Sequence, residues 1–235
     1  MTERGDARLR RTAGELAIGP SAMRWDGAML SVSIKERTAP FGYRIDGEVQ
    51  VRPLAMTGQA FLLDAEGRHR WFPLAPRARV DVALRNPPLR WSGIGYLDAN
   101  SGDVPLEDSF RSWTWSRAGI GDRTAILYEV SPHRGAGASL ALLIDAAGDV
   151  SRFAPPPSVA LPPTRWRIAR QTRADNARAE LRRTLEDTPF YARSLVNARL
   201  LGCDVVALHE SLSLARFRAP WVQALLPFRM PRSAQ

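Results

Sequence analysis

Lysine is almost absent from this chain. Of 33 basic residues only Lys35 is not an arginine, and the arginines are spread along the sequence rather than gathered in one block. The net charge of +9 therefore reads as a solvated basic surface before it reads as a nucleic-acid footprint. Zinc-knuckle spacing, a basic helix with heptads and an aromatic RNA-binding signature are all missing, which argues against nucleic acid as a partner. A single cysteine, Cys203, excludes an internal disulfide and points to a reducing compartment. Flanked by Leu200, Leu201 and Val205, it reads as a small buried hydrophobe rather than a nucleophile. Long apolar runs are lacking too: the longest, Ala138 to Ile144, is far too short to span a bilayer, and the start, MTERGDARLRR, has no apolar secretory core. These absences predict a cytoplasmic protein, soluble or peripheral at a membrane whose anionic lipids would attract its arginines.

What is present is β-sheet pattern. Hydrophobic residues make up 45% of the 235 positions, enough for a sizeable core. Short alternating segments separated by Gly, Pro, Asn and Asp recur along the chain. Strands are expected at Met29–Lys35, Gly47–Arg52, Gln59–Leu63, Arg79–Leu84, Leu89–Leu97, Arg111–Arg117, Thr124–Val130 and Ser139–Ile144. Four more follow at Arg165–Gln171, Arg178–Leu185, Tyr191–Leu200 and Val205–Leu212, with short helices only at Ser213–Phe217 and Trp221–Leu225. Trp25–Gly27, Asp64–Gly67, Asn100–Asp103 and Ala147–Asp149 carry reversal chemistry. The prolines from Pro155 to Pro163 predict a strap outside the sheets. So many strands suggest an all-β barrel or sandwich, or two in tandem, divided near Pro105 into 1–104 and 105–235.

Alternation along strands pairs the candidate chemical residues. His69 and Trp71 share one face of their segment; Tyr96 and Asp98 share another with Ile94, while Gly93 and Gly95 leave the opposite face bare. If both pairs line one lumen, they form an acid site. A carboxyl group desolvated there holds its proton to higher pH, and aromatic faces stabilise a developing cation. The alternative is Trp71 and Tyr96 as core, His69 as a satisfied histidine and Asp98 as the cap of the turn that follows, and from these residues alone it is the simpler reading.

The segment Gly95-Tyr96-Leu97-Asp98-Ala99-Asn100-Ser101-Gly102-Asp103-Val104-Pro105-Leu106-Glu107, followed by Phe110, Trp113, Trp115, Ser116 and Arg117, resembles the signature of the carotenoid 1,2-hydratases. Trp91-Ser92-Gly93, Gly67 to Trp71, Pro76 to Val80, His209 to Leu212 and Pro227 to Pro231 extend the likeness over nearly the whole chain. The resemblance implies two tandem lipocalin-like β domains and an enzyme that, without cofactor or metal, adds water across the terminal C1-C2 double bond of an acyclic carotene such as neurosporene or lycopene. By that resemblance Asp98 is the proton donor and Tyr96, His69 and Trp71 complete the site. Tyr96 and Trp71 then stabilise the cation, and His69 orients the carboxyl group or deprotonates the water. Trp91, Trp113, Trp115 and His209 are candidate pocket residues, His209 with Glu210 as a runner-up acid-base pair. Family members carry a further N-terminal stretch. Either Met1 is an internal methionine or the first domain is incomplete, with an exposed edge. A lipocalin-like carrier that binds carotenoid or lipid without turnover is the rival reading.

Overall fold

The computed structural model describes residues 5–38 and 41–226, so the Pro227 to Pro231 segment of the likeness lies outside the described residues. The chain divides into two compact units that interleave in sequence. One comprises Met1–Ala55, Ala75–Leu97 and Gln223–Gln235; the other comprises Met56–Leu74 and Asp98–Val222.

In the first unit, β1 (Leu9–Arg11), β2 (Glu15–Ile18), β3 (Ser21–Trp25), β4 (Leu30–Arg37) and β5 (Arg44–Pro53) form an antiparallel meander. The first three were not anticipated, because they are short and bury little. In the second unit β6 (Phe61–Leu62) pairs with the start of β7 (His69–Asn86), Phe61 opposite Trp71. From Ala75 onward β7 belongs to the first unit, where Val51 sits opposite Val80 of that strand. A small core gathers there from Val51, Ala75, Ala78 and Val80, flanked by Leu30, Val49, Val82 and Leu97. The strand β8 (Leu89–Gly102) likewise begins in the first unit and ends in the second. Gly95 is needed where it stands, because a Cβ there would strike the Val80 side chain.

The second unit continues with α1 (Leu106–Ser109), β9 (Phe110–Ile120), β10 (Arg123–Pro132), β11 (Ser139–Ile144) and β12 (Val150–Arg152). Next come β13 (Ser158–Leu161), β14 (Arg170–Arg173), β15 (Ala179–Asp187), β16 (Tyr191–Leu200) and β17 (Cys203–Ser213). Two short helices follow, α2 (Leu214–Phe217) and α3 (Pro220–Leu225). Its main sheet has seven antiparallel strands in the order β12-β11-β10-β9-β17-β16-β15, with β13 and β14 forming a separate two-stranded ribbon. One face of this sheet carries Ala118, Ile120, Ala125, Leu127, Ala141, Ala207 and Leu200 in a continuous core. The other buries Ile126, Leu142 and Tyr128. Fully burying each such Leu or Ile contributes about 1.5–3 kcal/mol, and burial on both faces explains why β10 is apolar almost throughout.

The all-β, antiparallel class is as expected, but among the described residues neither large sheet closes into a barrel. Three local expectations are corrected. Asn100 to Gly102 continue β8 instead of reversing, because the Asp103 amide donates to the Arg68 carbonyl at 3.0 Å; the chain turns only at α1, which the sequence reading missed. The expected strand Arg165–Gln171 is a turn up to Ala169: the Thr164 hydroxyl accepts from the Ile168 amide at 3.1 Å and Arg167 adopts φ 57°. Cys203 is exposed, since it opens β17 directly after the Leu201-Gly202 reversal at the end of the sheet.

Candidate active site

Register alone sorts the chemical residues of the second unit onto two faces. Across neighbouring strands Tyr128 lies opposite Trp115, Trp115 opposite Glu210, and Glu210 opposite Arg193. The adjacent row runs Leu127, Ser116, His209 and Ser194, and points the other way.

On the first of these faces, Trp71 is fully buried on β7, and its indole N–H donates to Asp98 Oδ2 at 2.8 Å. Its ring meets Tyr128 edge-on at 5.2 Å between centroids, and Tyr128 in turn meets Trp113 edge-on at 6.3 Å. Phe61 packs against Trp71 at 5.7 Å between centroids. Burial pushes the Tyr128 phenol well above its ordinary range, and the nearby Asp98 and Glu210 carboxylates push it further. It therefore stays protonated as a donor at any physiological pH. Asp98 itself is half-buried. Along β8 the period of two puts Tyr96 on the same side of the strand as Asp98, although Tyr96 belongs to the first unit.

His69, two residues before Trp71 on the same buried face, has 1% of its surface exposed. Its Nε2 shares a 2.9 Å hydrogen bond with Ser109 Oγ and lies 3.9 Å from Asp64 Oδ2. Among the described residues His69 Nδ1 and Asp64 Oδ2 have no hydrogen-bond partner. Gly102 is required opposite the ring: a Cβ there would stand 2.5 Å from Nδ1. Ser109 and Asp64 open onto a polar cavity of about 460 Å³ that Arg68, His133 and Arg134 also line. Asp64 meets the ring nitrogen that Ser109 already occupies, so the trio is not the relay of a serine nucleophile.

On the opposite face, His209 shares hydrogen bonds with Ser116 at 2.7 Å through Nδ1 and Ser211 at 3.1 Å through Nε2. Burial, then the Arg170 charge, pulls its pKa down to about 4. His209 is thus separated by the sheet from Trp113 and Trp115, with which the sequence reading grouped it. Glu210, its neighbour, sits on the Trp115 face and pairs with Arg193 at 3.1 Å. Trp91 is half-exposed in the first unit. Of the eight residues singled out from sequence, the second unit brings together Trp71, Asp98, Trp113 and Trp115, with His69 alongside.

Tyr128, Ser109 and Asp64 were missed. Tyr128 was within reach, because the tight Gly121-Asp122 reversal between β9 and β10 fixes its register against Trp115. Ser109 left no sequence signal, since it depends on a four-residue helix.

Comparison with known proteins identifies the family of the chain. The family model described as carotenoid hydratase CrtC matches residues 1–235. An acyclic carotenoid 1,2-hydratase of Thiocapsa roseopersicina is 53% identical over 99% of this chain and 58% of its own length. One from Rubrivivax gelatinosus is 44% identical over 100% of this chain and 58% of its own. This chain thus spans little more than half the length of those two relatives. A crystal structure of a putative AttH from Nitrosomonas europaea shares the fold, with a TM-score of 0.54 at 12% identity over 88% of this chain and 72% of the other. A family match along the whole chain, with relatives 53% and 44% identical over nearly all of it, makes this protein a member of the carotenoid hydratase family.

Proposed function

We propose that the chain hydrates the terminal C1-C2 double bond of an acyclic carotene such as neurosporene or lycopene, with Asp98 as the acid. The observation that carries this reading is the 2.8 Å bond from the Trp71 indole to Asp98 Oδ2, set against the aromatic wall of Trp71, Tyr128 and Trp113. Because Oδ2 accepts from the indole, the acid form of Asp98 carries its proton on Oδ1 and presents it in one direction. Transfer of that proton to C2 leaves the electron-poor tertiary carbon at C1 and a carboxylate on Asp98. Water adds its oxygen to C1 and gives up a proton, which restores the acid, and the product is a tertiary alcohol. Indole and phenol rings stabilise the cation through their quadrupoles. In this reading Tyr96 lines the same strand face, and His69, held by Ser109, orders the incoming water. Trp115 and Trp113 serve as pocket wall. Substrates this apolar are held in membranes, so the reaction is placed at a membrane's cytoplasmic surface. No helix among the described residues is long and apolar enough to cross one.

Cells making lycopene or neurosporene, given this chain, test the reading. The expected result is the 1-hydroxy product, reduced by about 10²–10⁴ in Asp98→Asn. Carotene bound but unconverted by the unmutated chain would indicate a carrier, and full turnover by Asp98→Asn would remove the acid assignment.

A further inference from the structure

The turn that replaces the expected strand at Arg165–Gln171 presents its side chains to solvent in an uncommon way. Arg165, Trp166 and Arg167 are consecutive and all exposed, Trp166 at 42%. Trp166 does not fold back onto the core. It stacks instead on Trp221 of α3, itself 47% exposed, with centroids 5.9 Å apart and an interplanar angle of 24°.

The turn is also stiff. The Arg167 amide donates to the Thr164 carbonyl at 2.9 Å, and the Thr164 amide to the Ile168 carbonyl at 3.2 Å. Asp187 Oδ2 accepts from the Arg165 amide at 2.8 Å, tying the turn to β15, and the Arg216 guanidinium donates to the Trp166 carbonyl, tying it to α2. Beneath, Ile168 is buried and anchors the loop. With its backbone fixed at these points, the turn holds the indole pair outward without paying for its ordering at the moment of contact.

We propose that this tip, Arg165-Trp166-Arg167 with Trp221, is a docking surface for an anionic lipid bilayer. Two stacked indoles are suited to the headgroup level of a membrane, where an apolar ring body and a polar N–H are both accommodated. Arginines on either side of Trp166 match the negative surface of phosphatidylglycerol or phosphatidylserine, and each such charge strengthens binding about fivefold. Charge complementarity favours a lipid surface over an apolar protein partner. The proposal rests on the carotene-hydratase reading only for its purpose, which is to hold the enzyme where a membrane-dissolved substrate can enter; docking itself needs neither carotene nor turnover.

The test is co-sedimentation of the whole chain with vesicles of phosphatidylcholine alone or with one-third phosphatidylglycerol, at low and high salt. Binding is expected to the anionic vesicles, weakened by salt. Arg165→Gln with Arg167→Gln should lower that binding by on the order of tenfold or more. Trp166→Ala with Trp221→Ala should lower it at least as much, and Asp98→Asn should leave it unchanged. Lipids brominated near the headgroup supply a readout on the unmutated protein. They should quench indole fluorescence, and the quenching should shrink when Trp166→Phe and Trp221→Phe are made. Equal binding to neutral vesicles, or anionic binding untouched by all four substitutions, overturns the proposal while leaving the hydratase reading intact. Loss of turnover in Asp98→Asn with lipid binding retained separates the two.

Discussion

Two histidines, each 1% exposed, lie in the second unit, and burial does not rank one above the other. His209 is complete: both ring nitrogens are hydrogen-bonded to serines, and its pKa near 4 keeps it neutral. His69 is bonded through Nε2 alone, faces a buried carboxylate at 3.9 Å, and neighbours a polar cavity. A buried polar group satisfied on every side specifies a fold, whereas one left with unused capacity beside solvent can still exchange a partner or a proton. The difference makes His209 structural, on the far side of the sheet from Trp71 and Asp98, and leaves His69, on their near side, as the histidine the proposed reaction uses.

The largest effect that bears on this division is His209→Ala. It leaves Ser116 and Ser211 without their buried partner and opens a cavity, so a stability loss of about 3 kcal/mol is expected by denaturant unfolding. Product formed per folded molecule should not change. A lowered turnover in the fraction that remains folded would erase the contrast.

Close behind comes pH. In the unfolded chain His209 titrates near 6.5, and in the folded protein burial holds it down to about 4. Between those values the unfolded state binds the extra proton, so stability is full above pH 6.5 and falls as pH drops toward 4. The gap corresponds to at most about 3 kcal/mol. Thermal unfolding between pH 7 and 4 should show this slope, and His209→Ala should flatten it. A slope that survives the substitution would assign the acid sensitivity to another group.

On the near side, Trp71→Phe keeps most of the apolar volume but deletes the N–H that holds Asp98 Oδ2. A hydrogen bond to a charged group contributes about 1.5–3 kcal/mol, so turnover should fall roughly 10- to 100-fold. The melting temperature should move by only a few degrees. If stability falls and turnover of the folded protein does not, the indole is core and the acid is positioned by something else.

Much of this arrangement was legible in the sequence, and the limits have physical causes. Period-two alternation located β11 and β16 to the residue and put His69 with Trp71, because strands buried on one or both faces leave a strong pattern. The same period of two puts adjacent His209 and Glu210 on opposite faces of β17. Alternation says nothing about which of two sheet faces is the chemical one, and so His209 was grouped with Trp113 and Trp115. Turn residues misled at Asn100 to Gly102, where Gly102 is required by the His69 ring rather than by a reversal. Likewise the β-branched and aromatic content of Arg165 to Gln171 was overridden by the Thr164 hydroxyl, which closes a turn. Ser109 and Asp64 reach His69 from a short helix and a loop, and contacts of that kind are set by tertiary packing alone.

The smallest effect discriminates best, because it makes the same deletion twice. Ser116→Ala removes one hydroxyl from His209, and Ser109→Ala removes one from His69. Each should cost about 1 kcal/mol of stability, the ordinary worth of one hydrogen bond. Beyond that they should diverge. Ser116→Ala should leave turnover and its pH profile untouched, since His209 stays neutral and walled off by the sheet. Ser109→Ala removes the hydroxyl that fixes the His69 ring, so the proposed ordering of the water loosens and turnover per folded molecule should fall by roughly fivefold, the worth of one hydrogen bond. Turnover that falls in neither variant would make His69 a second structural histidine and remove it from the proposed reaction.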